Sequence, residues 1–159
     1  YRNAMIARIK IMCDLDISER RKPQDGKINF SRFSSQHKLE LRVATIPTKG
    51  PGFFLRSHEA TPYAWVDGMN GPGKDTLQVI DKRTLTVVKA LTPSPGKTAA
   101  HIEFDRYGKY ALASIWENDG AIVVYDAVTF AEVKRIPANK PVGKYNVWNK
   151  VTGSAGTSH

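Results

Sequence analysis

The chain has 159 residues, 41% of them hydrophobic and 25% charged, which is the composition of a globular domain and excludes a disordered or collagen-like chain. No apolar run approaches the ~18 residues that a membrane helix needs, and the first residues do not form a signal peptide. The single cysteine, Cys13, excludes an internal disulfide, a cysteine-rich zinc site and the attachment motif of a c-type haem. The net charge is +9, but its densest run, Arg20-Arg21-Lys22, has no interleaved aromatic residues, so we expect no nucleic-acid partner.

Residues 1–49 predict a small α/β segment. A helix is predicted over residues 3–13, because apolar side chains recur there at spacings of three and four and form the stripe of an amphipathic helix. The stripe consists of Met5, Ile6, Ile9, Met12 and Cys13. A short strand is predicted over residues 27–33, and a half-buried strand over residues 39–44, where the side chains alternate between the two faces.

From Gly50 onward the sequence predicts an all-β structure. Short β-branched and apolar segments alternate with Gly, Pro, Asp and Asn turns, and no helical stripe is long enough to predict a helix. The predicted strands are Phe53–Ser57, Ala64–Asp67, Thr76–Asp81, Val87–Leu91, Ala100–Phe104, Tyr110–Trp116, Ala121–Asp126 and Glu132–Ile136.

These strands repeat after 45 residues, since the Asp81-x-x-Thr84 turn returns as Asp126-x-x-Thr129. In both turns the Asp side chain is expected to accept backbone N–H bonds, and Gly108 is expected at positive φ in the hairpin between them. A period near 45 with about four short strands per unit is typical of propeller blades. We therefore predict a mainly β fold, an incomplete β-propeller of about two four-stranded antiparallel blades.

Two blades are too few to close a propeller ring, because each blade covers its sheet faces and edges against neighbours. We therefore expect the chain to pack on missing propeller blades or to self-associate. The apolar side chains that such contacts cover are predicted at Ile80, Val87, Leu91, Ile102, Leu112, Ile115, Val123 and Val133.

Two Gly-Lys loops fail the pattern of a phosphate-binding loop. Residues 68–74 have the spacing Gly-x-x-x-x-Gly-Lys, but Asp75 follows where Ser or Thr must hold magnesium; before residues 95–98, Leu91 replaces the first glycine. Both loops precede predicted strands, so no helix N-terminus faces a phosphate. We interpret both as hairpin turns.

The motif Glu-Arg-Arg-x-Pro-Gln-Asp-Gly at residues 19–26 carries a first family resemblance. With its neighbours over residues 5–48 it closely resembles the stretch that precedes the motor domain of type II secretion and type IV pilus assembly ATPases. The resemblance implies an α/β module and makes Arg20, Arg21 and Arg42 candidates for phosphate contact. The motor's own Walker A loop is missing, so ATP hydrolysis is not implied, and the alternative is that these arginines are merely exposed charges.

A second resemblance covers residues 50–159 and rests on residues 52–58, 64–67, 114–116 and 141–149. This part is similar to the C-terminal blades of the haem d1 propeller of cytochrome cd1 nitrite reductase and its relatives in haem d1 biosynthesis. The resemblance implies haem d1 as cofactor, with Phe54, Trp116 and Gly143 lining the macrocycle pocket. Two flat apolar walls and a residue without a side chain suit a planar ring. The alternative is that Phe54 and Trp116 are core residues between blades.

The family's axial and distal histidines and propionate-binding arginines belong to earlier blades. The resemblance therefore implies that this chain does not turn over by itself, and we identify neither a catalytic residue nor a metal site. His58 and His101 are lone histidines, which are more often packing residues than iron ligands. In the intact family the haem supplies the redox chemistry and the side chains supply binding and electrostatics.

The two resemblances imply different compartments, the periplasm for residues 50–159 and the cytoplasm for residues 5–48. Such a junction, at residues 48–51, is expected of an artificial, recombined or misjoined chain, an apparent chimera. Our leading hypothesis is a fragment of a haem d1-binding propeller that is catalytically inactive alone. The alternatives are a regulatory or interaction module of a secretion ATPase and a chain with no evolved function.

Overall fold

The computed structural model describes residues 1–19, 22–29, 40–144, 148–149 and 154–155. The chain divides into two compact units, Tyr1–Pro47 and Thr48–His159. The first contains the helix, and the second consists of short antiparallel strands.

The first unit contains helix α1 (Arg2–Met12) and an antiparallel pair of strands, β1 (Gln24–Asn29) and β2 (Glu40–Thr45). The predicted helix over residues 3–13 is confirmed. Strand β1 begins three residues before the predicted start at Lys27. The predicted continuation through residues 30–33 and the start at residue 39 lie outside the described residues.

Most of the apolar stripe of α1 is exposed, unlike the usual inner face of an amphipathic helix, although Cys13 at its end is buried. Met5 and Ile6 are 63% and 45% exposed, whereas Lys10 is only 7% exposed. The Lys10 ammonium donates to the carbonyls of Asp16 and Glu19, which the turn after the helix directs toward it. Lys10 is buried because these two backbone carbonyls need a hydrogen-bond donor, which its ammonium provides.

The second unit contains two four-stranded antiparallel sheets, ordered β3-β4-β5-β6 and β7-β8-β9-β10. Each predicted strand is found within two residues of its expected ends, so the prediction of two repeated four-stranded sheets is confirmed. The strands are β3 (Leu55–Ser57), β4 (Tyr63–Asp67), β5 (Leu77–Asp81), β6 (Thr86–Leu91), β7 (Ala99–Phe104), β8 (Tyr110–Ile115), β9 (Gly120–Asp126) and β10 (Glu132–Ala138), followed by the short pair β11 (Trp148–Asn149) and β12 (Ser154–Ala155).

Burial decreases across the second sheet. Strand β7 is buried along its whole length, because it contacts β3 and β4 of the other sheet, whereas β10 is exposed almost throughout. Val133, one of the apolar side chains that contacts with missing blades or a second copy are expected to cover, belongs to this edge strand and is 54% exposed. The core between the sheets includes Trp65, Leu77, Val79, Ile102, Phe104, Ile115, Val123 and Tyr125.

The 45-residue repeat extends to the details of the turns. The Asp81 carboxylate accepts the N–H groups of Arg83 and Thr84 at 2.7 and 2.8 Å. The Asp126 carboxylate accepts those of Val128 and Thr129 at 3.0 and 2.8 Å. Each turn ends in a residue at positive φ, 56° at Leu85 and 62° at Phe130. The predicted Asp turns are confirmed, as is the positive φ of Gly108, 67°.

Both Gly-Lys loops connect strands. The first joins β4 to β5 through tight turns, with Gly71 N–H donating to the Gly68 carbonyl at 3.0 Å. The second joins β6 to β7, and its Gly96 N–H donates to the Asp75 carboxylate at 2.8 Å. The interpretation as turns is confirmed: the two loops are bound to each other, and neither leads into a helix.

Candidate functional site

Three aromatic rings from separate parts of the second unit meet, one just before β3, one on β7 and one just after β8. The centroids of Phe54 and His101 are 4.6 Å apart with an interplanar angle of 66°. Those of Phe54 and Trp116 are 6.1 Å apart at 73°. These edge-to-face contacts are the favoured arrangement of neighbouring rings. We call Phe54, His101 and Trp116 the aromatic cluster.

Phe54 is positioned by a buried carboxylate. Asp67, at the end of β4, is 1% exposed and accepts the backbone N–H groups of Phe53 and Phe54 at 2.9 and 3.0 Å. The chain passes so close to β4 here that a Cβ on Gly52 would collide with the Asp67 carbonyl. The backbone that carries Phe54 is therefore held against β4 at consecutive residues.

Trp116 follows directly after β8, and its backbone N–H donates to the Thr98 carbonyl at 2.9 Å. The side chain is half-buried. Its indole Nε1 is nevertheless buried, and no residue in the described part of the chain accepts a hydrogen bond from it. A buried N–H without an acceptor costs about 1–3 kcal/mol, so this atom is a candidate donor to a ligand.

His101 lies in a bulge of β7. The pairing with β8 shifts between Ala100 and Glu103, and His101 has φ 52°. Bulges of this kind redirect a side chain and are common beside functional sites. The imidazole is buried, 5% exposed, and its pKa is lowered first by burial and then by the nearby Lys144 cation.

Lys144 contacts His101 at two points. Its backbone N–H donates to His101 Nδ1 at 3.2 Å, and its amine donates to the His101 carbonyl and, at 2.7 Å, to Ser114 Oγ. Burial lowers the pKa of Lys144 to about 7, with Glu103 opposing the shift. The amine is therefore largely uncharged above neutral pH.

A buried carboxylate completes the polar side of the site. Glu103, on β7, is 6% exposed, and its Oε1 accepts the Phe104 N–H at 2.8 Å. Its Oε2 lies 3.8 Å from Nε of Arg56 on β3. This ion pair links β3 and β7, the first strands of the two sheets, next to the aromatic cluster.

The structure brings together two of the three predicted pocket residues. Phe54 and Trp116 are in the cluster, while Gly143 is exposed and is related to it through its neighbour Lys144. His58 lies outside the aromatic cluster. Its Nδ1 accepts a hydrogen bond from the Ala60 N–H, and its Nε2 is hydrogen-bonded to the Arg106 carbonyl, so the ring joins two loops.

The alternative set of arginines is partly outside the described residues, where Arg20 and Arg21 lie. Arg42 is exposed on β2 and forms an ion pair with Asp25 on β1, with 2.5 Å between Nη2 and Oδ2. This pairing raises the pKa of Arg42 and lowers that of Asp25. The guanidinium is thus already engaged within the first unit.

Sequence reasoning missed Asp67 and Lys144 and interpreted His101 only as a packing histidine. An Asp at the end of a strand is common in sequences, so only the burial of Asp67 in the structure identifies it as part of the site. Lys144 follows a Pro-x-Gly segment, but its contacts are 43 residues away in the sequence. No local pattern identifies such a contact.

No three His, Cys, Asp or Glu side chains come together as a metal site in the part of the chain that the structure describes. Over the same residues, no helix has the length and apolar character needed to cross a membrane.

Comparison with known proteins gives the family. Residues 31–150 match the Cytochrome D1 heme domain. The chain belongs to this family. The match begins inside the segment that resembles the ATPases, before the predicted junction at residues 48–51. The chain is 58% identical over 114 residues to dihydro-heme d1 dehydrogenase of Pseudomonas aeruginosa, and this alignment covers 72% of this chain and 23% of the relative.

A solved structure, dihydro-heme d1 dehydrogenase NirN in complex with DHE, matches with a TM-score of 0.63 and 55% identity, over 70% of this chain and 23% of that one. Protein NirF of Stutzerimonas stutzeri is 29% identical over 102 residues, 64% of this chain and 25% of the relative. The chain therefore spans about a quarter of the length of these relatives. The type IV pilus assembly ATPase PilB of Pseudomonas aeruginosa is 57% identical to this chain over 42 residues, 26% of this chain and 7% of the ATPase. Together with the haem d1 relatives, this match confirms both resemblances found in the sequence.

Proposed function

We propose that the second unit binds a haem d1-type macrocycle against the aromatic cluster. The observation that carries this proposal is the Nε1 atom of Trp116, a buried donor that has no acceptor among the described residues. Haem d1 carries oxygen-bearing substituents around an apolar ring system, so it offers both an acceptor and a flat face. Family membership and the similarity to a protein solved with DHE support the same ligand class.

The residues present fit such a group. Phe54 and Trp116 offer apolar surfaces inclined at 73°, so a planar ring that lies flat on one of them meets the other edge-on. Asp67 holds the Phe54 backbone, and the His101 bulge places an imidazole against the same ring. Together these side chains orient the macrocycle and exclude water from one side of it.

We further propose that this chain binds the macrocycle without turnover. The bound group supplies the redox chemistry, and the described side chains supply a surface and hydrogen-bond donors. The chain corresponds to 23% of the dehydrogenase, so the activity in that protein's name belongs here only as a hypothesis. A turnover assay with dihydro-haem d1 and an electron acceptor is expected to show no product above the protein-free control.

The direct test is a titration of haem d1 and dihydro-haem d1 followed by the visible spectrum. Trp116→Phe removes the indole N–H and keeps an aromatic ring, so we expect the affinity to fall about 3- to 10-fold, the value of one hydrogen bond. Trp65→Phe is the matched control, because Trp65 Nε1 is also unpartnered but lies in the core. No spectral change at tens of micromolar would remove the cofactor from the account.

The similarity to PilB supports a second candidate function for the first unit, an interaction module of a secretion ATPase. This function predicts capture of a secretion ATPase motor domain and loss of capture in the double variant Arg20→Ala/Arg21→Ala. Arg42→Ala is the comparison variant, since its guanidinium is already paired with Asp25. A pull-down that recovers no motor domain counts against it.

A further inference from the structure

Lys144 lies where the pairing of β7 and β8 is interrupted. Ala100 pairs with Ser114, but the next pair in register is Glu103 with Leu112, which leaves His101 in the bulge. The Lys144 amine donates to the carbonyl of His101 and to Oγ of Ser114. It thus bridges both strands at the last regular pair before the bulge.

The bulge needs such support because of its backbone conformation. His101 has φ 52°, in the left-handed region that few residues other than Gly adopt, although Asn, Asp and His are enriched among them. Strained positions of this kind persist only where the surrounding structure determines them. The amine of Lys144 supplies a hydrogen-bond donor to the carbonyl of the strained residue.

Lys144 also determines which nitrogen of His101 carries the proton. The backbone N–H of Lys144 donates to Nδ1, so Nδ1 is the acceptor and the neutral ring is protonated at Nε2. The same ring contacts Phe54, which contacts Trp116. A continuous series of contacts therefore leads from Lys144 to the indole of the aromatic cluster.

We propose that Lys144 is the positioning residue of the aromatic cluster, holding His101 in the bulge and in its Nε2-protonated tautomer. The part of this inference that concerns ligand affinity rests on the proposed binding of a haem d1-type macrocycle. Burial lowers the pKa of the half-buried amine to about 7, so at neutral pH it carries less charge than an exposed lysine does.

The test compares Lys144→Met with Lys140→Met in the full chain. Both replace an amine by a thioether of similar length, but the Lys140 side chain is exposed. We expect Lys144→Met, which keeps the backbone N–H that donates to Nδ1, to retain the Nε2-protonated tautomer of His101 in ¹⁵N NMR and to give about tenfold faster amide exchange around Ile102 and Glu103. We also expect about tenfold weaker binding of dihydro-haem d1. Lys140→Met is expected to leave all three unchanged.

A rescue variant separates support of the bulge from a general effect on the fold. Gly adopts the left-handed region without a steric cost, so Lys144→Met/His101→Gly is expected to recover slow exchange in β7. Unchanged exchange in Lys144→Met, or a His101 ring protonated at Nδ1 in the wild-type chain, would overturn the proposal, even if the ligand bound more weakly. Failure of the wild-type chain to bind would refute the proposed function alone, because the tautomer and exchange are measured without ligand.

Discussion

Replacing Gly108 by Ala tests the contact between the two blades. Gly108 has φ 67°, and a Cβ placed on it would collide with the imidazole of His58. The matched control is Gly96→Ala, because Gly96 has a similar φ of 76° but no atom within 4 Å of a built Cβ. Both variants carry the cost of Ala in the left-handed region, and only one of them also displaces a ring.

The magnitudes follow from these contacts. The left-handed backbone costs Ala about 1 kcal/mol, which is the whole effect expected at Gly96. At Gly108 the displaced His58 ring also loses its bonds to the Arg106 carbonyl and the Ala60 N–H, 3.2 and 3.0 Å long. At about 1 kcal/mol each, these losses bring the total to about 3 kcal/mol.

Urea unfolding measures both variants. With a slope of about 2 kcal/mol per molar, Gly108→Ala is expected to lower the midpoint by about 1.5 M and Gly96→Ala by about 0.5 M. The double variant Gly108→Ala/His58→Ala provides room for the new methyl group. The loss of stability in the double variant should therefore be smaller than the sum of the losses in the two single variants. Equal midpoints for the two single variants would refute the role of the His58 contact.

Three further results are expected. Because burial lowers the pKa of Lys144 from its usual 10.5 to about 7, the unfolded chain holds a proton that the folded chain lacks between these values. Stability should therefore rise between pH 7 and 9, by at most about 1.4 kcal/mol per unit, and urea midpoints for Lys144→Met should show no such rise. Asp67→Ala removes the acceptor for Phe53 and Phe54, so the titrated affinity for dihydro-haem d1 should fall while the secondary structure, by circular dichroism, is retained. Asp81 and Asp126 accept turn N–H groups that lower their pKa values, so their stabilisation is present above pH 4 and is lost below it; urea midpoints that do not fall with pH there would contradict this.

Most of the second unit was predictable because its signals are local. The alternation of apolar residues marks each strand, and the Asp-x-x-Thr turns fix where β5 and β9 end. A repeat of 45 residues then reports the number of strands per sheet. The strand and turn signals each act within a few residues, and the repeat is visible in the sequence itself, so none of them depends on knowing the tertiary structure.

The details of the site depend on contacts that no local pattern encodes. A bulge with a histidine at positive φ has no sequence signature, since Gly is the residue usually expected there. Lys144 reaches that bulge from 43 residues away. The stripe on α1 illustrates the same limit, because periodicity gives the spacing of Met5 and Ile6 on one face and does not specify what covers it.

The indole N–H resonances of the ¹⁵N-labelled chain test the central claim most directly. Trp65 and Trp116 both have a buried Nε1 that no described residue accepts from, but only Trp116 is in the aromatic cluster. On addition of dihydro-haem d1, the Trp116 resonance is expected to shift or broaden while the Trp65 resonance keeps its position. An unaffected Trp116 resonance under conditions where the macrocycle is bound would contradict the proposed site.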